Sequence, residues 1–281
     1  MALLLGAVAA GPNVVTVWSG LRAWAAKRGI ALDFVLYSHY EHQAEELASG
    51  RIHAAWNSPL AWIRSARLAD THGLTVWPLV MRDSDQDVTS VILVRHDSPF
   101  TTLAELAEHT IGLGAPDSPQ ANLVPRHVLR SAGLVADENV AIRQFDEAVG
   151  LHGDDPAGER EAARALLAGQ VDAAVMVDLN YLLLTREGTL PPSSTRVLSR
   201  TPPYDHANLT VSDAAPPRLV HRFGEMLLSM SYTDPECTPL FDLLGLFMWC
   251  RGRTCGYRLL EAAVDTEGFY SPDGSITWMS D

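Results

Sequence analysis

The chain has 281 residues, 47% of them hydrophobic and 20% charged, so it can bury a large core and lacks the composition of a disordered protein. Its 21 Lys and Arg stand against 34 Asp and Glu, and the formal charge of −13 at pH 7 argues against nucleic acid or an anionic lipid surface as the main partner. A local basic pocket is still compatible with that balance, because net charge does not describe one cleft.

No apolar run approaches the roughly 18–20 residues of a membrane helix, so no membrane insertion is expected. The opening Leu3–Ala9 reads as a first buried strand rather than a signal peptide, since no Lys or Arg precedes Arg22 and the apolar part is short. Helix-like Val14–Lys27, strand-like Asp33–Tyr37, helix-like Tyr40–Ser49, strand-like Ile52–Trp56 and a helix from Ser58-Pro59 follow. Ser58 suits the N-cap and Pro59 the first helical position. Thr75–Met81 and Ser90–Arg95 are apolar and β-branched enough for central strands. Alternation of this kind predicts βαβ units around a mainly parallel sheet.

Near residue 100 the pattern restarts: helical Thr102–His109, a strand at Thr110–Leu113, a helix entered through Asp117-Ser118-Pro119-Gln120, a strand within Asn139–Phe145, a helix at Glu159–Ala168 and a strand at Ala173–Val177. Arg196–Ser199 and Asn208–Val211 read as strands returning to the first lobe, ahead of helical Pro217–Met230. The fold class expected is α/β with two lobes, residues 1–95 plus 200–281 and residues 96–199, and a ligand cleft between them. Cys237, Cys250 and Cys255 are too few for a disulfide scaffold and fit a reducing compartment, while a Cys250–Cys255 bridge stays open. The location expected is cytoplasmic, or periplasmic or extracellular only if a signal segment has been removed.

Five stretches, Gly6–Trp18, Val35–Gln43, Ala54–Trp62, Asp117–Pro125 and Gly158–Arg164, resemble the phosphate/phosphite/phosphonate substrate-binding proteins of ABC importers. The resemblance implies the type 2 periplasmic-binding-protein fold, with an anion held by helix-start amides and by Tyr, Ser, Thr, Asn and His side chains. It also implies an ABC permease as partner if the chain is exported. Helix N-termini independently suit anions, because they present unpaired donors and the positive end of the helix dipole.

The ligand-binding candidates are Tyr37, His39, His42, Asn57, Ser58, Ser118, Gln120, His152, Asp178 and His206. Tyr37, His39 and His42 follow a strand end, and His39 and His42, three apart, can share a helical face. His152 lies in a loop with Gly150, Gly153 and Gly158, near Asp154 and Glu159. Asp205 beside His206 could set a histidine tautomer. Solute binding of a phosphonate, phosphate ester or carboxylate is one reading. The alternative is a cytosolic enzyme on the same fold, with His206, His152 and Asp205 catalytic and His39, His42, His152 and His206 able to hold a transition metal. A cytosolic ligand sensor is a third. No nucleotide-cofactor motif is present, and neither the ligand nor a reaction is named by any spacing.

Overall fold

Alternating apolar strands and amphipathic helices form two α/β units in the computed structural model, which describes residues 2–278. The strands are β1 (Leu3–Val8), β2 (Leu32–Tyr37), β3 (Ala54–Asn57), β4 (Val76–Arg82), β5 (Ser90–Arg95), β6 (Thr110–Leu113), β7 (Ala141–Gln144), β8 (Ala173–Val177), β9 (Thr195–Arg200), β10 (Asn208–Ser212) and β11 (Trp249–Arg251). The helices are α1 (Val14–Lys27), α2 (Tyr40–Ala48), α3 (Pro59–Thr71), α4 (Val124–Ser131), α5 (Ala157–Leu167), α6 (Asp178–Arg186), α7 (Pro217–Leu228), α8 (Thr238–Leu244) and α9 (Arg258–Thr266).

Unit 1 comprises residues up to Asp87, Asp205–Arg258 and the chain from Gly268 onward. Its six strands run in the order β11-β4-β10-β3-β1-β2. β1 is parallel to β2 and β3, with Leu5 opposite both Phe34 and Ala54, whereas β10 and β11 return antiparallel. Val17, Trp18, Leu21, Trp24 and Ala25 of α1 lie on one stripe and are buried with Leu3, Leu5, Phe223 and Phe241. Each such large side chain contributes on the order of 2 kcal/mol by leaving water. Ser58 starts α3 by accepting a hydrogen bond from the Ala61 amide at 3.1 Å, as its sequence position predicts.

Unit 2 comprises Val88–Tyr204 and Leu259–Glu267, with strand order β7-β6-β8-β5-β9. β6 is parallel to β7 and β8, and β5 is antiparallel to β8 and β9. In each sheet most strands run one way, as expected: β10 and β11 run against β1–β4 in unit 1, and β5 runs against β6–β9 in unit 2. Two expectations about the lobes are corrected. β5 and β9 belong to unit 2 rather than to the first lobe, since β5 is flanked on both sides by strands of that sheet. Leu259–Glu267 also joins unit 2, where Glu267 pairs with Arg126 and Arg130 of α4, each at 3.4 Å.

Gly158 shows why α5 can begin where it does: a Cβ there would lie 2.6 Å from the Phe145 carbonyl oxygen and 3.1 Å from the Ala115 nitrogen. The helix start is thereby pressed directly onto the loop after β6. Among the described residues no helix is long and apolar enough to cross a membrane, and all three cysteines are free.

Candidate functional site

In unit 1 the carboxyl ends of β1, β2, β3 and β4 share one side of the sheet, and the antiparallel β10 begins on that side, with Asn208 opposite Asn57. Ligands of α/β folds gather at such ends. Tyr37 closes β2; it is buried, and its ring meets His42 edge-on at 5.3 Å. Burial, with Glu46 nearby, pushes the Tyr37 phenol up. His39 is exposed at the start of α2, gives that helix no side-chain cap, and has Nδ1 2.9 Å from Ser38 Oγ. His42 lies 3.5 Å from Glu46 one turn along α2.

Asn57 is fully buried, and its side chain is occupied within unit 1. Its Nδ2 donates to Thr210 Oγ1 at 2.9 Å and to Ser65 Oγ at 3.3 Å, and its Oδ1 accepts from Gln43 Nε2 at 2.9 Å. The Asn57 side chain thus braces α2, α3 and β10. Ser58 beside it is equally buried at the start of α3.

The pairing expected of Asp205 and His206 is corrected. His206 Nδ1 lies 3.3 Å from Asp85 Oδ1, and Asp85 is held bidentate by Arg82 at 2.5 and 2.8 Å. Burial raises the Asp85 carboxyl, but Arg82 and His206 outweigh it and hold the pKa at about 2. Asp205 instead receives Arg253, at 2.7 and 2.5 Å, together with the Asp87 amide at 3.1 Å. A side chain at Gly256 would run into this carboxylate. Arg253 reads from sequence as an exposed loop arginine; only the fold reveals its anionic partner, because the two lie far apart along the chain.

In unit 2 the ends of β6, β7 and β8 and the start of β5 share one side in the same way. Ser118 Oγ accepts from the Ala121 amide at 3.1 Å, opening a wide π turn at Pro119–Leu123 that leads into α4. Gln120 Nε2 donates to the Gly153 carbonyl at 2.7 Å, and Asp117 Oδ2 accepts from the amides of Gly150 at 2.6 Å and His152 at 3.2 Å. The loop carrying His152 is therefore seated on Ser118 and Gln120, so closely that a Cβ at Gly153 would overlap both. It turns through left-handed backbone at Ala148, Gly150, His152 and Gly153. Asp117 Oδ1, Gln120 Oε1 and Asn122 Oδ1 are buried acceptors with no hydrogen-bond partner.

Two further groups lie here: Glu159, which the sequence places beside His152, and Tyr204, which is absent from the sequence-based candidates. Glu159 is buried in the first turn of α5, accepts from the Val177 amide at 3.2 Å and from Asn180 Nδ2, and is pushed by burial to a pKa of about 7. Tyr204 Oη lies 2.8 Å from Ser90 Oγ, which itself donates to the Gln120 carbonyl at 2.6 Å. Asp178 accepts from Thr89 Oγ1 at 2.9 Å.

The histidines expected to share a metal divide between the units. His39, His42 and His206 have separate partners within unit 1, while His152 is in unit 2. Among the described residues no group of three or more His, Cys, Asp or Glu could hold a metal ion.

Known proteins give this geometry its class. The family described as the periplasmic phosphonate substrate-binding protein of ABC transporters matches residues 12–249, and the chain belongs to that family. The structure of PhnD1 from Prochlorococcus marinus in complex with methylphosphonate is similar at TM-score 0.69 and 13% identity, covering 95% of this chain and 98% of that one. A Xanthomonas citri protein bound to ATP is similar at 0.69 and 20%, with 95% and 97% covered. The binding component of a Pseudomonas aeruginosa ABC phosphonate transporter gives 0.62 and 14%, with 95% and 87% covered. At these identities the structures carry the fold alone. No curated protein matches the sequence.

Proposed function

We propose that this chain is a solute-binding protein for a small oxyanion, a phosphonate, phosphate ester or carboxylate, and that it delivers the ligand to an ABC permease. The family match across residues 12–249 is the observation that carries the reading. Physical chemistry supports it in each unit taken by itself. Unit 1 presents the starts of α2 and α3 beside Tyr37, His39 and Ser58, and unit 2 presents the Ser118–Gln120 helix start. Helix starts offer backbone donors to an anion without any net positive charge, which suits a chain at −13. His42, His152, Asp178 and His206 are retained as secondary contacts to be tested one at a time. Since the family is described as periplasmic, we place the chain there, and the cytoplasmic expectation loses its support. The enzyme alternative gains none.

The test is calorimetric titration with methylphosphonate, inorganic phosphate, sulfate and acetate. A phosphorus oxyanion binding at least tenfold more tightly than sulfate is the expected result. Binding of none of the four by folded protein would overturn the proposal. Among the site variants, Tyr37→Phe and Ser118→Ala are expected to weaken the preferred anion while leaving the fold intact by circular dichroism.

A further inference from the structure

The family match stops at residue 249, yet a side chain beyond it reaches the middle of unit 1. Tyr257, at the end of a short 3-10 turn (Cys255–Tyr257), is fully buried, with its ring 5.8 Å from that of Trp62 on α3. Its hydroxyl donates to the His206 carbonyl at 2.9 Å and accepts from Asn208 Nδ2 at 2.9 Å. Thr210 Oγ1 donates to Asn208 Oδ1 at 2.6 Å, Asn57 Nδ2 to Thr210 Oγ1 at 2.9 Å, and Gln43 Nε2 to Asn57 Oδ1 at 2.9 Å.

Every donor in this chain points the same way, from α2 toward His206. Bonds aligned in one sense polarise one another, so the chain holds its members more firmly than separate pairs would. The second Asn57 amide proton goes to Ser65 on α3, which fixes the orientation of that amide. Burial also pushes the Tyr257 phenol far up, so the hydroxyl keeps the proton that the last bond requires. A ring needed only to fill the core would require no hydroxyl; this one terminates a relay that leads to the residue preceding the cap of α3.

We infer that Tyr257 is a positioning residue for the anion site, holding the first turn of α3 in place through Asn208, Thr210 and Asn57. The hydrogen bonds alone carry the geometry; the consequence for ligand rests on the oxyanion reading above.

Tyr257→Phe keeps the ring against Trp62 and removes only the hydroxyl. Hydrogen–deuterium exchange of residues 58–63 is expected to accelerate at least tenfold, with α1 unchanged, and affinity for whichever of methylphosphonate or inorganic phosphate binds wild type is expected to fall at least tenfold. Thr210→Val, which cuts the relay elsewhere, should reproduce both effects, and Thr210→Ser, which keeps the hydroxyl, should restore wild-type values. Unchanged exchange at residues 58–63 in Tyr257→Phe and Thr210→Val overturns the inference. So does acceleration spread equally over unit 1, which a general loss of packing would give, or faster exchange with affinity unaltered. If wild type binds neither anion, the functional reading fails while the exchange data still decide the positioning.

Discussion

The polar side of unit 1 and that of unit 2 sit at equivalent strand ends but are finished differently. In unit 1 the hydrogen-bond chain from Gln43 to the His206 carbonyl and the carboxylates of Asp85 and Asp205 leave few polar atoms unmatched, Gln43 Oε1 among them. In unit 2 acceptors are in surplus at Asp117, Gln120 and Asn122, a buried acid titrates near pH 7, and the covering loop is bent through left-handed residues. The two sides thus match their polar atoms differently: unit 1 through one aligned hydrogen-bond chain and two ion-paired carboxylates, unit 2 through a loop seated on side chains that keep spare acceptors.

The largest expected effect breaks the finished side. Asp205→Ala removes the buried carboxylate that receives Arg253 and the Asp87 amide, leaving Arg253 with Asp87 alone, and should cost unit 1 about 3 kcal/mol in urea unfolding; a loss under about 1 kcal/mol would show that the carboxylate does not brace it. Next comes the buried acid of unit 2. Glu159 has its folded pKa raised from 4.5 to about 7, so the neutral form favours folding, and that advantage is complete below about pH 4.5 and disappears as pH rises through 7. The associated loss is up to about 3 kcal/mol, and Glu159→Gln should flatten the wild-type stability profile between pH 5 and 8. Asp85 behaves oppositely: its contribution is present above about pH 4 and is lost as the pH falls toward 2.

Smaller effects sharpen the contrast. Gly158→Ala forces a methyl group onto the Phe145 carbonyl and should destabilise unit 2 by about 2 kcal/mol, visible as faster exchange in α5. Ala148→Gly relieves a left-handed residue at φ 64° and should stabilise the protein by about 0.5–1 kcal/mol; destabilisation would show that the bend is not strained.

Local chemistry made much of the fold legible. Ser58-Pro59 announces α3, and the apolar stripe of α1 is found at Val14–Lys27 as its periodicity predicts. Strand partners were less accessible: Ser90–Arg95 is plainly a strand, but nothing in its sequence reveals that β8 and β9 flank it. Site residues divide in the same way. The helix starts at Ser58 and Ser118 carry a local signal, whereas the partners of Asn57, His206 and Arg253 are set by residues remote in sequence. Glu159 looks like an ordinary acid of a helix's first turn until its burial is known.

The assignment of Leu259–Glu267 to unit 2 bears on how the chain folds as it is made. Unit 2 starts at Val88, and its last segment follows a long excursion that completes part of unit 1. Unit 2 has all five of its strands by Arg200, but its last segment is made only after Trp249–Arg251 has supplied the sixth strand of unit 1. Seating Leu259–Glu267 on unit 2 joins stretches far apart in the chain, and late contacts of that range are the slow ones in reaching the native state.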